Sequence, residues 1–156
     1  VGRVNEEVED ATGAVLKYQR HANGKGLVSP RARVQPTAAI AQNAYVESEA
    51  RIGDGSTVGA GSWIDSGAII GERVFIGQNV HIGPSTLIGS DARIGSHSRI
   101  GANVRIEGGA IIDADQVIPD DAEIQADPAA RRIFAQRGFS RASDGQRSRY
   151  LGSEAA

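Results

Sequence analysis

The chain contains no cysteine, which removes disulfides, thiolate nucleophiles and cysteine-ligated zinc from the chemistry its 156 residues can carry. Aromatic residues are scarce, at 4%. A chain so poor in large rings fills its interior with many similar aliphatic side chains, which points to a repetitive core. Neither sign of charge is in surplus: the formal net charge is −2, giving no bias toward nucleic acid or acidic membranes. No apolar run reaches membrane-spanning length, and the opening VGRVNEEVED is too acidic for a signal peptide. These absences predict a soluble, cytoplasmic protein with no nucleic-acid or membrane partner, one domain long and able to bury a core.

What the chain does have is a period. Ile or Val recurs every sixth residue, from Val28, Val34, Ile40 and Val46 through Ile64 and Ile82 to Ile112, Ile118 and Ile124. All 17 positions of this column are β-branched, although Ile and Val together supply only 28 of the 156 residues. Two residues before the aliphatic sit small or β-branched side chains such as Ala38, Ser56, Ser62 and Val74. Alternation along a short strand turns both columns inward and the residue between them outward. Gly follows the aliphatic at 53, 59, 71, 77, 83, 89, 95 and 101, where a positive φ without a Cβ penalty is expected. Turn-forming residues such as Asn43, Gly55, Asn79 and Asp91 come three residues after it.

Each hexad is therefore a short strand and a corner. A strict period of six fits neither 3.6 nor 3.5, so an amphipathic helix is excluded. Three hexads close a triangular coil, and stacked coils pair as parallel strands about 4.8 Å apart. The 17 hexads make five to six coils, a prism roughly 25–30 Å tall.

The segments ARIGDGSTVGAG, VFIGQNVHIGPSTLIGSDARIG and SRIGANVRIEGG make residues 27–126 resemble the hexapeptide-repeat superfamily. The resemblance implies a left-handed parallel β-helix, against the usual handedness of parallel crossovers. It also implies a homotrimer, with active sites in clefts between subunits where acyl-CoA or acyl-carrier-protein donates to an amine or hydroxyl of a small acceptor. In acyltransferases of this fold a histidine acts as general base.

Solenoids need caps at their open edges. Residues 1–26 are expected to be a lead-in or cap, with GAVLKYQ a strand over the first coil. Asp127, Pro128 and Gly138 bracket a short helix over 127–138, with Ala130, Ile133 and Phe134 on one face. The polar, Arg- and Ser-rich stretch 139–156 reads as a flexible tail.

Outward residues stack one coil apart, so each face has a readable column. One runs Leu27, Tyr45, Trp63, His81, Arg99, Val117, and holds the only Trp of the chain. It reads either as a subunit contact surface or as one wall of a ligand cleft. By position His81 is the first candidate base and His97, at a corner between Ser96 and Ser98, the second; a surface histidine without chemistry is the alternative for both. No carboxylate in its own column orients His81. Arg93, Arg99 and Arg105 ring one coil and suit the phosphates of CoA, with Trp63 and Tyr45 beside the donor, or else are solvated charge. The three histidines, His21, His81 and His97, include no close pair, which argues against a metal site. Isolated Thr57 argues against an ice-binding threonine ladder.

Two functions follow. One is acyl transfer with His81 as base. The other is a non-catalytic structural or assembly scaffold, favoured by a repeat in which no residue is inserted between Val28 and Ile124.

Overall fold

The computed structural model describes residues 5–9 and 15–127. Seventeen two-residue strands run from Leu27–Val28 to Glu123–Ile124, one per hexad, and they assemble into three parallel sheets that form the faces of a β-solenoid. Face one carries the strands beginning at Leu27, Tyr45, Trp63, His81, Arg99 and Val117. Face two carries those beginning at Arg33, Arg51, Ile69, Leu87, Arg105 and Glu123, and face three those at Ala39, Thr57, Phe75, Arg93 and Ile111. The register is one coil per step throughout, so that Trp63 lies opposite His81 and His81 opposite Arg99.

The core is the inward double column. Ile40, Ile64, Ile76, Ile82 and Ile94 are fully buried, flanked by equally buried Ala38, Ala44, Ala68 and Ala92. Burying one such aliphatic side chain is worth about 1.5–3 kcal/mol. Repeating the same pair at every corner fills a narrow triangular interior without any aromatic ring.

Positive φ is a property of the corners and not of the glycines after the aliphatic. The left-handed residue is the third after it, at Asn43, Gly55, Gly61, Arg73, Asn79, Asp91, His97 and onward to Asp121. The glycines one residue after the aliphatic serve close approach instead. A Cβ on Gly53 would lie 2.7 Å from the Gly71 carbonyl oxygen of the next coil, and one on Gly59 would lie 2.5 Å from that of Gly77.

Four inward hydroxyls knit coil to coil. Ser62 donates to the Gly77 carbonyl at 2.6 Å and accepts from the Val80 N–H at 3.0 Å, so its oxygen is inserted into the turn of the following coil. Ser56, Thr86 and Ser98 do the same to the turns ending at Val74, Val104 and Gln116. At several turns where the residue one coil earlier is Ala or Val, the turn closes its own bond, as in Ser62 N–H to Gly59 O and Ala92 N–H to Gly89 O. The residue stacked on each inserted hydroxyl is correspondingly larger: Val74, Val80, Val104 and Gln116. A buried polar atom is thereby both donor and acceptor, and burial costs it nothing in lost partners.

Two longer strands precede the repeat. β1 (Asn5–Glu9) and β2 (Val15–Arg20) form an antiparallel hairpin, and β2 pairs antiparallel with Leu27–Val28, extending face one beyond its first coil. The helix expected over 127–138 and the tail 139–156 lie outside the described residues, apart from Asp127. Among the described residues no helix is long and apolar enough to cross a membrane.

Candidate functional site

Face one collects the side chains with chemical character. The Trp63 indole and the His81 imidazole stack with centroids 4.2 Å apart and planes 12° from parallel. Their spacing follows from the sheet: identical backbone positions on adjacent parallel strands hold flat rings at contact distance. The two rings are held at their rims by two carboxylates. Glu47 Oε2 accepts the Trp63 Nε1–H at 2.8 Å, and Asp65 Oδ2 accepts the His81 Nε2–H at 3.2 Å. Asp65 Oδ1 accepts the Ser66 N–H at 2.7 Å, which fixes the carboxylate in turn. Glu47 Oε1 accepts the Tyr18 hydroxyl at 2.8 Å, and the Tyr18 ring meets Tyr45 edge-on with centroids 5.5 Å apart.

Sequence reading missed both carboxylates. They lie two residues beyond the outward column, at the edge between faces one and two, in the place that Gly83 and Gly101 occupy on later coils. A signal was present for one of them: Asp65 breaks the run of glycines after the aliphatic, between Gly59 and Gly71, whereas Glu47 precedes that run. His81 therefore does have an orienting carboxylate, contrary to the expectation from its own column.

The consequence for His81 is chemical. A carboxylate only accepts, so Nε2 carries the hydrogen and a neutral ring keeps its lone pair on Nδ1. With side-chain exposures of 28% for His81 and 22% for Asp65, the pair is sheltered yet reachable from solvent. Trp63 remains 42% exposed. An imidazole, the carboxylate that orients it and an apolar indole are therefore adjacent.

The other predicted residues are placed elsewhere. His97 is exposed at the corner between the Arg93–Ile94 and Arg99–Ile100 strands, with φ 67°. Arg93, Arg99 and Arg105 occupy three different faces, and the fold does not bring them together. Arg99 alone shares the face of His81, whereas Arg93 lies 5.1 Å from the Phe75 ring centroid on face three. Arg105 borders an open depression of about 540 Å³ on face two, with Ile69, Leu87, Glu107 and Glu123 around it. That depression contains no histidine. His21 is occupied by the backbone, its Nε2 hydrogen-bonded to the Ala38 carbonyl at 2.8 Å. Among the described residues no group of three His, Asp or Glu side chains is placed to hold a metal.

Residues 67–102 match the family model described as bacterial transferase hexapeptide (six repeats). No curated protein matches the chain. Among solved structures, a variant of perosamine N-acetyltransferase from Caulobacter crescentus, in complex with CoA and GDP-perosamine, is similar at 22% identity and a TM-score of 0.57, over 65% of this chain and 53% of that one. The acetyltransferase domain of PglB from Neisseria gonorrhoeae, in complex with acetyl coenzyme A, is similar at 29% identity with a TM-score of 0.48, over 65% and 55% of the two chains. The chain thus spans about half the length of each of these relatives. The matched repeat thus lies within a parallel β-solenoid that runs from Leu27 to Ile124, and the likeness to perosamine N-acetyltransferase is one of fold.

Proposed function

We propose that the protein transfers an acyl group from a thioester donor, acyl-CoA or acyl-carrier-protein, to an amine or hydroxyl of a small acceptor, with His81 as general base. The observation that carries this reading is the hydrogen bond from His81 Nε2 to Asp65, which leaves Nδ1 as the basic atom of a ring already held in orientation. In the reaction the acceptor's N–H or O–H proton passes to Nδ1 while its nitrogen or oxygen bonds to the acyl carbon. The carbon–sulfur bond breaks, and the departing sulfur takes up the proton. CoA thioesters are the donors to test first, because perosamine N-acetyltransferase is seen with CoA.

A base on one sheet face has only one wall. Enclosing an acceptor requires a second surface, and a homotrimer in which a neighbouring copy faces Trp63 and His81 supplies it. Trp63, Ile69, Phe75 and Val117 are large apolar side chains left exposed on a single chain, consistent with such contacts. Light scattering on the purified protein tests the stoichiometry.

The decisive experiment is calorimetric titration with CoA and a panel of acyl-CoAs, alongside thiol release in the presence of small amines, for the native protein and His81→Ala. Donor binding that survives the substitution while turnover disappears supports the reading. A folded protein that binds no CoA thioester and accepts no acyl-carrier-protein donor sinks it. The uninterrupted repeat from Val28 to Ile124 would then favour the scaffold function.

A further inference from the structure

The stack of Trp63 on His81 needs an anchor. Trp63 sits on a two-residue strand and is 42% exposed, so packing alone leaves its ring free to turn about two side-chain bonds. The indole N–H is fixed by Glu47 Oε2. Glu47 does not hang free at the other end. Its Oε1 takes the hydroxyl of Tyr18, a ring only 4% exposed, carried on β2 and packed edge-on against Tyr45. Both oxygens of one carboxylate are thus engaged, one by the hairpin before the repeat and one by the ring that backs the histidine.

We propose that Glu47 is a positioning residue for His81, acting through Trp63, and that the hairpin strand β2 belongs to the site because Tyr18 holds Glu47 in place. The proposal rests on the reading of His81 as base only for its effect on turnover. The geometric part stands without it. Asp65 fixes the edge of the imidazole and Trp63 fixes its face, so the ring is constrained in two directions and Nδ1 is aimed consistently. Releasing the indole removes the second constraint while leaving the Asp65 hydrogen bond intact.

The readout is built in. Trp63 is the only tryptophan, so intrinsic indole fluorescence reports this one ring. A protonated imidazole stacked on an indole quenches it, and a neutral one does so far less. The charged groups beside His81 are Asp65 at its Nε2 and Arg99 on the next strand, and neither is altered by the variants below. Fluorescence of the native protein is therefore expected to rise as His81 loses its proton, and His81→Ala to abolish the rise.

Glu47→Ala is expected to lose at least half of that amplitude while keeping the far-ultraviolet circular dichroism of the solenoid. Glu47→Gln retains an amide oxygen for the indole and is expected to restore most of it. Tyr18→Phe, which removes one hydroxyl and no bulk, is expected to give an intermediate amplitude, and it provides the test should Glu47→Ala fail to fold. Where thiol release is measurable, Glu47→Ala should lower kcat about 10-fold with little change in donor KM. A native quenching amplitude in folded Glu47→Ala, or in Tyr18→Phe if the former does not fold, overturns the proposal. Loss of quenching in a protein without acyl transfer upholds the positioning role and rejects the catalytic reading, so the two failures are distinguishable.

Discussion

Asp65 and His81 stand on successive coils of face one, and the carboxylate of the earlier coil reaches forward to the ring of the later one at 3.2 Å. The bond crosses the stacking direction of the solenoid, so it forms only if the coils are in register. It also determines which ring nitrogen is left basic.

Asp65→Asn therefore tests the dyad with minimal change in shape. An amide can still meet the ring but no longer requires the tautomer with hydrogen on Nε2. The expected result is a fall in kcat of roughly 10–100-fold with donor affinity largely kept. Equal thiol release by Asp65→Asn and the native protein would remove Asp65 from the mechanism.

The three arginines should separate by face. Arg99→Ala is expected to weaken acyl-CoA binding more than Arg93→Ala or Arg105→Ala, because only Arg99 shares the face of His81. Calorimetry on the three variants decides it. A larger loss from Arg93 or Arg105 would mean that the donor runs along a face brought in by a neighbouring copy.

Glycines at two places in the hexad should respond in opposite ways. Gly53→Ala puts a methyl group 2.7 Å from the Gly71 carbonyl oxygen, and about 1–3 kcal/mol of stability should be lost. Gly55, at φ +71° and with Arg73 Cγ at an ordinary contact distance of 3.6 Å from an added Cβ, should accept Asn within about 0.5 kcal/mol, since Asn43, Asn79 and Asn103 hold the same conformation at other corners. Urea unfolding of both variants measures the contrast, and similar losses for the two would contradict it.

Ser62→Ala should cost about 1–3 kcal/mol, because the Gly77 carbonyl and the Val80 N–H lose a shared partner. Adding Val80→Ala should recover part of the loss, since turns stacked on alanine close their own hydrogen bond with a small residue at that place. A double variant less stable than the sum of the two single changes would show that the hydroxyl and the larger side chain are not coupled in this way.

The fold was legible because its signal is redundant. Seventeen aliphatics in one column leave no second way to bury them, and the outward columns followed from the same count, so Tyr45, Trp63, His81 and Arg99 could be placed on one face before any coordinates. The site was legible only in part. Asp65 and Glu47 occupy the bend after the strand, where strict alternation no longer says which way a side chain leans. For Asp65, set between Gly59 and Gly71, the departure from glycine was the available clue. Tyr18 could not have been found, since it precedes the repeat and no periodicity relates it to Glu47. The glycine conformations were misassigned for a related reason: a repeat reveals that a place forbids a Cβ, but not whether backbone twist or a neighbouring carbonyl forbids it.

Faces and hexads count differently, and this sets how such a protein can change length. Losing six residues from a corner between Trp63 and His81 would keep every aliphatic stacked on an aliphatic, yet everything downstream would turn by one face. Leu87 would then stand opposite Trp63, and His81 would look out from the neighbouring side of the prism, away from Asp65. Only a gain or loss of a whole coil restores the pairing of each outward side chain with its own kind of neighbour. Insertions and deletions here are thus tolerated by the architecture in units of one side of a triangle, and by the chemistry only in units of its full circuit.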